Sequence, residues 1–215
     1  MSVAYDLAEK LLQINAIQLR PQNPFTWASG LKSPIYCDNR ISLSYPAVRN
    51  FIKDSLTELA QEFRPFDAIV GVATAGIPHG ALLADALNLP FAYIRSKSKE
   101  HGMQNVLEGF LPKSSSVLVI EDLVSTGGSS LKAIEKLGLL EIRVSGLAAL
   151  FTYGLHTSKS AFSHHKVKFE SLSNFEALLD VASQNSLIDK KDIEILREWR
   201  EDPSLWSENY MLKSK

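Results

Sequence analysis

Hydrophobic and polar residues follow two different periods along the chain. Apolar positions recur at helical spacing at about 2–17 and 45–62, which predicts two amphipathic helices. Short apolar runs that are rich in β-branched residues predict strands at 67–72, 91–94, 117–120 and 144–153. Helical patterns follow the first and third of these strands, at 76–87 and up to residue 138. Strands that alternate with helices predict an α/β fold with a parallel, doubly wound sheet.

The two ends of the chain depart from this rhythm. Residues 20–46 are rich in Pro, Ser and Asn, with short strand-like pieces. An edge strand is predicted at 106–110, a last short strand at 169–172, and two helices at about 174–183 and 190–201, where Asp202-Pro203 ends the second. We expect three parts: an N-terminal subdomain (1–42), an α/β core (43–170) and a C-terminal helical tail (171–215) packed on the same unit.

The composition is ordinary for a soluble globular protein. The 215 residues, 45% hydrophobic and 22% charged, suffice for one domain with a sizeable core. The net charge of −1 provides no basic field for nucleic acid. The single cysteine, Cys37, excludes an internal disulfide and fits a reducing compartment. No signal peptide is apparent, and no apolar run approaches the ~20 residues needed to span a bilayer. We expect a cytoplasmic protein that binds neither nucleic acid nor membrane.

The most informative segment is residues 117–129, which read VLVIEDLVSTGGS. A buried strand leads to two carboxylates, Glu121 and Asp122, and then to small residues that enter a helix. Ligands of open α/β sheets bind beyond the carboxyl ends of the strands, and free amides at a helix start bind phosphate. The carboxylates suit sugar hydroxyls or a hydrated Mg²⁺ instead. Neither a Walker A loop nor a GxGxxG fingerprint is present, and the alternative is an ordinary strand-to-helix turn.

Three further segments carry candidate chemistry. Residues 71–78, GVATAGIP, form a second small-residue loop after a strand, for which a tight structural turn is the alternative. Residues 95–102, RSKSKEHG, bring three cations and a histidine into a polar stretch that could surround a polyanion; a solvated charged loop is the alternative. Residues 25–40 contain Ser-Gly-x-x-Ser-Pro followed by an aromatic residue.

These segments together resemble a known enzyme family. Residues 117–129 are similar to the phosphoribosyl pyrophosphate (PRPP) motif of type I phosphoribosyltransferases. Arg95, Lys99, His101 and Gly102 match the Arg-x-x-x-Lys-x-His-Gly catalytic loop of orotate phosphoribosyltransferases, and the segment at 25–40 resembles the N-terminal hood of that family. The resemblance covers about residues 1–155. It implies the type I phosphoribosyltransferase fold, a central parallel twisted sheet flanked by helices, in which residues 1–42 form a small hood.

The same resemblance implies a role for the loop at 71–78. The equivalent loop of the family binds pyrophosphate and often contains a non-proline cis peptide bond. Ala73–Thr74 is the bond expected to be cis.

The implied reaction transfers ribose 5-phosphate from PRPP to N1 of orotate, giving orotidine 5′-monophosphate and pyrophosphate, in de novo UMP (pyrimidine) biosynthesis. The resemblance implies Mg²⁺ as the cofactor, held through PRPP and water rather than by protein ligands, and a homodimer with shared active sites. The implied catalytic residues are Lys99, His101 and Asp122, and Ser125 is implied to contact orotate as well. The implied PRPP-binding residues are Arg95, Lys99, His101, Glu121, Asp122, Leu123, Val124, Ser125, Thr126, Gly127, Gly128 and Ser129.

The chain departs from the better-known members of the family at basic positions. They carry lysines where this chain has Ala28, Ala75 and Ser96, and an arginine near Tyr153 that helps to bind the orotate carboxylate. The alternative cations in this chain are Lys32, Lys97 and Arg40. Two other functions stay open: transfer to another base, such as a purine, and regulation by a non-catalytic protein that senses PRPP or nucleotides. The hood, the acidic pair and the cationic loop favour the orotate enzyme.

Overall fold

The computed structural model describes residues 2–27, 29–95 and 106–213. The strands in these ranges are β1 Ile17–Leu19, β2 Phe25–Thr26, β3 Lys32–Ser33, β4 Ile35–Cys37, β5 Ala68–Val72, β6 Phe91–Ile94, β7 Leu107–Glu108, β8 Ser116–Val124, β9 Arg143–Thr152 and β10 Phe169–Asn174. The α-helices are α1 Val3–Gln13, α2 Pro46–Ala60, α3 Gly76–Leu87, α4 Gly128–Leu139, α5 His156–His164, α6 Phe175–Gln184, α7 Lys190–Glu201 and α8 Pro203–Lys213. Short 3₁₀ helices span Asn39–Ser44 and Gln61–Phe63.

A six-stranded sheet lies at the centre, in the order β10-β9-β8-β5-β6-β7. All neighbouring strands in it are parallel except β6 and β7, which pair antiparallel at one edge. The predicted parallel sheet and its edge strand are therefore confirmed. Because parallel strands are covered by helices on both faces, the central strands read as unbroken apolar runs rather than as alternating ones.

Helices cover both faces of the sheet and make two hydrophobic cores. Strand β8 divides them, since Leu118 and Ile120 face one core and Val117 and Val119 face the other. The first core receives α1, α2, α3, α6 and α7, and the second receives α4 and α5. This two-layer cover fixes β8 in the middle of the molecule, so its carboxyl end is a rigid support for functional groups.

The hood contains two antiparallel strand pairs, β1 with β4 and β2 with β3. We refer to these pairs, residues 17–37, as the hood strands. Helix α1 precedes them and packs on α6 and β10. The hood strands continue into the 3₁₀ helix Asn39–Ser44, whose first residue reaches the end of β8 (below).

Two helices were not predicted from the sequence. Helix α5 has the sequence HTSKSAFSH, in which Phe162 is the one large apolar side chain, so no helical period is visible. Helix α8 begins at Pro203, which we interpreted as ending the preceding helix. Proline also starts helices, because the first helical residue needs no amide hydrogen. Across the described ranges, none of the helices has the length and apolar character needed to cross a bilayer.

Candidate active site

The loop between β8 and α4 is short and tightly turned. Strand β8 extends to Val124, so the loop comprises residues 125–127 and α4 begins at Gly128. Gly127 has φ = 82°, and a Cβ atom there would lie 2.8 Å from the ring of Phe162. Glycine is required on both grounds. The first amides of α4 have no acceptor within the helix and point toward the loop, which makes this end of the helix suitable for an anion.

The two carboxylates before this loop lie in a mostly buried environment. Glu121 is 6% exposed, and its carboxylate accepts hydrogen bonds from the Ser130 hydroxyl (3.1 Å) and from the Asp122 amide (3.2 Å). Ser130 lies in the first turn of α4. The helix that supplies the phosphate-binding amides therefore also holds one member of the acidic pair in place.

Burial and proximity change the ionisation of this pair. Burial, followed by the nearby charge of Asp122, raises the pKa of Glu121 to about 9. Burial also raises the pKa of Asp122, although hydrogen bonds and the charge of Arg40 oppose this rise. Because the carboxyls are adjacent, they titrate as a pair. At neutral pH the pair carries one negative charge and one proton, which resides on Glu121.

The loop after β5 lies against this pair. Strand β5 ends at Val72, and α3 begins at Gly76, which lies so close to the Ile120 carbonyl that a Cβ atom would collide with it. The peptide bond between Ala73 and Thr74 is cis, which confirms that prediction. The sequence thus predicts both the place and the backbone form of this loop.

A cavity of about 540 Å³ opens between the two loops. Its lining comprises residues 72–75 of the β5–α3 loop, the Glu121–Leu123 segment of β8, Arg95, and residues Ser129, Lys132, Ala133 and Lys136 of α4. Arg95 is held by an ion pair with Glu108 on β7 (3.1 Å), and its carbonyl accepts a hydrogen bond from Lys136 (3.3 Å). Carboxylates, cations and helix-start amides therefore converge on one space.

Sequence reasoning did not single out two cations of this cavity, Lys132 and Lys136. They follow Ser129 by one and two helical turns, so the three residues share one face of α4. This spacing was the available signal. It is also the spacing of an ordinary solvated helix face, which is why it did not stand out.

The predicted PRPP-binding residues divide into groups. Arg95, Glu121, Asp122, Leu123 and Ser129 line the main cavity. Ser125 and Thr126 line a separate cavity of about 220 Å³, and Val124 is buried within the sheet. Gly127 and Gly128 connect the two cavities along the turn. The predicted catalytic residues Lys99 and His101 lie outside the described residues, as does Lys97.

The hood reaches the acidic pair through its last residues. The Asn39 side-chain amide donates a 2.7 Å hydrogen bond to the backbone carbonyl of Asp122. Beside it, the Arg40 guanidinium makes two hydrogen bonds to the Asp38 carboxylate, at 2.7 and 2.8 Å, and these bonds lower the pKa of Asp38. Arg40 is nevertheless exposed, and its charge acts on Asp122. The hood thus presents an oriented cation near the acidic pair.

The position of the family's carboxylate-binding arginine is apolar in this chain. Tyr153 is 2% exposed and packs against the rings of Trp27, Phe151 and Trp199, with ring centroids 5.2 to 6.1 Å apart. Lys32 lies on the hood strands, where its ammonium group donates to the Thr26 hydroxyl (2.8 Å). Of the three alternative cations, Arg40 is the described one whose charge acts on Asp122.

Comparisons with known proteins agree with this geometry. A family model described as a phosphoribosyl transferase domain matches residues 42–184. An orotate phosphoribosyltransferase of Bacteroides thetaiotaomicron is 55% identical over 93% of this chain and 94% of its own length. One of Listeria monocytogenes is 50% identical over 96% of this chain and 99% of its own length.

A solved structure extends the agreement to three dimensions. The crystal structure of orotate phosphoribosyltransferase from Aeropyrum pernix superposes with a TM-score of 0.73 at 28% identity, covering 85% of this chain and 99% of that one. The sheet, the PRPP motif and the near full-length identity to the bacterial relatives all lead to one assignment. This chain belongs to the orotate phosphoribosyltransferase family and is a pentosyltransferase.

Proposed function

We propose that this enzyme transfers the ribose 5-phosphate group of PRPP to N1 of orotate. The bond from C1′ to the pyrophosphate oxygen breaks, the bond from C1′ to N1 forms, and the products are orotidine 5′-monophosphate and pyrophosphate. The step belongs to de novo UMP synthesis. The proposal rests chiefly on the convergence of the acidic pair, the cis-peptide loop and the start of α4 around one cavity.

The turn at 125–129 is proposed to hold the 5′-phosphate. The amides at the start of α4 supply hydrogen bonds without a competing acceptor, and the helix dipole favours negative charge there. The hydroxyls of Ser125 and Thr126 face the smaller cavity beside them. Positioning of the phosphate fixes the ribose with C1′ over the carboxylates, which is the main contribution of such a site when the substrate supplies the nucleophile.

The acidic pair is proposed to hold the ribose hydroxyls and to stabilise positive charge at C1′. Two adjacent carboxylates are too few to enclose a metal alone, but they fit a hydrated Mg²⁺, which keeps several waters. Mg²⁺, bound with PRPP, would neutralise charge on the departing pyrophosphate. Binding of a cation beside Glu121 and Asp122 favours release of the proton on Glu121, since an opposite charge stabilises the ionised carboxylate.

The pyrophosphate is proposed to lie against residues 73–75 and Arg95. Lys132 lines the same cavity and is exposed, so it supplies a cation at a site where the lysines at 75 and 96 of the better-known members are absent. Lys99 and His101 are proposed to close over the leaving group from the 96–105 segment. Together these cations would stabilise the charge that develops on the departing pyrophosphate.

Orotate is proposed to lie under the hood, with its carboxylate on Arg40 and one edge on Ser125. A guanidinium is suited to a planar carboxylate because its donors form a fork. Asp38 occupies one edge of Arg40 and orients the remaining donors. This assignment gives the missing carboxylate clamp a new position, on the hood rather than after β9.

The family resemblance further supports a cytoplasmic homodimer whose 96–105 segment reaches the neighbouring site. Mixing Asp122→Ala and Lys99→Ala subunits tests this arrangement. If one exchanged heterodimer contains one intact site, activity returns after subunit exchange. Inactive heterodimers would refute a shared site.

The decisive assay follows the loss of orotate absorbance in the presence of PRPP and Mg²⁺. We expect consumption that depends on Mg²⁺ and that collapses in Lys99→Ala. A folded wild type that consumes purine bases but not orotate would refute the proposed substrate.

A further inference from the structure

The C-terminal helices α7 and α8 contact the hood, although they lie at the other end of the chain. The matched phosphoribosyl transferase domain ends at residue 184, before either helix begins. The tail is therefore an addition to the domain that carries the PRPP motif. Its contacts on the hood give it a role that the family match does not assign.

A buried hydrogen bond joins α8 to the hood strands. The backbone amide of Lys32, on β3, donates to the Ser207 hydroxyl at 2.8 Å, and Ser207 has no exposed surface. A lost acceptor for a partly buried amide is costly, because the amide then lacks both protein and solvent partners. The bond also fixes the position of β3 relative to α8.

Aromatic packing joins α7 to the same strands. Trp199 is fully buried, and it meets Trp27 edge-to-face at 5.8 Å and Tyr153 at 5.2 Å. Trp27 is itself held by a hydrogen bond from its indole to the Ile35 carbonyl (3.2 Å). Tyr153 directly follows β9, so this aromatic cluster connects the tail, the hood and the central sheet.

The tail is firmly fixed to the core and can thus serve as a support. Glu176 on α6 pairs with both Arg197 and Arg200 of α7. A capping box, formed by Asp189 and Asp192, closes the start of α7. At the edge of the same interface the Gln22 side chain donates to Asp192 at 3.0 Å.

The three parts meet beside the PRPP loop. The 220 Å³ cavity is lined by Trp27 and Leu31 of the hood, by Ser125 and Thr126 of the loop, and by tail residues 201–204. A displacement of the hood away from the tail would open this cavity and move the hood strands relative to Ser125.

We propose that α7 and α8 position the hood over the base side of the site, with Ser207 as a positioning residue for orotate. This inference rests on the proposed function, because it requires that orotate lies under the hood. It predicts that a defect in the tail weakens the use of orotate while the use of PRPP is retained, since PRPP is held by loops of the core.

Ser207→Ala provides the test, and Ser173→Ala is its matched control. Ser173 is also fully buried and makes a comparable long-range bond, to the Ala4 carbonyl (2.7 Å), but it ties β10 to α1 rather than to the hood. We expect the KM for orotate to rise about fivefold in Ser207→Ala, with less than about a twofold change in the KM for PRPP. Ser173→Ala should leave both values close to wild type.

Hydrogen exchange gives a readout that needs no activity. Amides of residues 29–37 should exchange faster in Ser207→Ala than in wild type or Ser173→Ala, without any substrate present. If Ser207→Ala does not fold, Gln22→Ala cuts a surface contact of the same interface and should show the same orotate-specific change at smaller size.

The inference is overturned if Ser207→Ala leaves the orotate KM unchanged, or if both substrate KM values rise together as they do in the control. A wild type that does not consume orotate refutes the proposed function instead. The two failures are therefore distinguishable.

Discussion

The two sides of the active site are built in different ways. The phosphate side consists of contiguous turns at 73–75 and 125–129, each placed at the end of a buried parallel strand. The base side is assembled from the hood, residues 36–40 above all, and from tail helices that begin about 150 residues later in the chain. One side is a property of local sequence, whereas the other exists only after the ends of the chain have met.

This difference predicts different sensitivities. The phosphate side is fixed by the sheet and by close backbone contacts, such as that of Gly76 with Ile120. The base side depends on a few long-range contacts, chiefly Asn39 with Asp122 and Lys32 with Ser207. Substitutions in the first side should therefore act on PRPP, and substitutions in the second should act on orotate.

The largest effect should follow from Asp122→Asn. The side-chain charge is lost, while the backbone carbonyl that accepts from Asn39 is retained, so the hood keeps its attachment. We expect kcat/KM to fall about 100- to 1000-fold, because charge that stabilises the developing positive centre is removed. Steady-state kinetics measure this loss.

The control for this change is Asp85→Asn, an exposed position on α3. It should leave the kinetics unaltered. A decrease of less than tenfold in Asp122→Asn would contradict the role given to this carboxylate.

The next effect concerns the turn of the phosphate side. Gly127→Ala introduces a Cβ at φ = 82° and against the Phe162 ring. We expect a loss of about 1–3 kcal/mol in the free energy of unfolding, and a larger rise in the KM for PRPP than in that for orotate. Chemical denaturation and kinetics provide the two measurements.

Gly138→Ala is a matched control on the same helix, since a Cβ at Gly138 meets no atom within 4 Å. It should instead stabilise the protein by about 0.5–1 kcal/mol. Equal destabilisation by both substitutions would show that the turn has no special requirement.

A smaller and more selective effect is expected for Arg40→Gln. Loss of a charge-assisted bond to the orotate carboxylate should raise the KM for orotate about tenfold, with the KM for PRPP nearly constant. Arg64→Gln, an exposed arginine that binds Gln61 before β5, serves as the control. If the KM for PRPP rises instead, Arg40 belongs to the phosphate side.

The smallest effect is a pH dependence of stability without ligands. The pKa of Glu121 is raised in the folded state, so the folded protein holds a proton that the unfolded chain releases above the ordinary range of glutamate. Stability therefore decreases as the pH rises from about 4.5 toward 9, where both states are ionised. Thermal unfolding of wild type should lose this amount relative to Glu121→Gln, and parallel curves for the two proteins would contradict a protonated Glu121.

How much the sequence reveals follows the same division. The β8–loop–α4 segment could be predicted because strand, carboxylates and turn are adjacent, so local patterns determine their geometry. The Ala73–Thr74 cis bond followed from the family resemblance alone. Helix α8 and the Ser207 contact could not be predicted, because no local pattern relates a residue to a partner 175 positions away. Lys132 stayed hidden because its spacing is that of any solvated helix face.

The separation of the two sides is tested most directly by PRPP binding without orotate. Titration calorimetry with Mg²⁺ and PRPP should be performed on wild type, Asp122→Asn and Arg40→Gln. We predict that Arg40→Gln binds PRPP within about twofold of wild type, whereas Asp122→Asn loses about tenfold or more. Equal loss of PRPP affinity in both variants would contradict the division of the site into a core-built phosphate side and a hood-built base side.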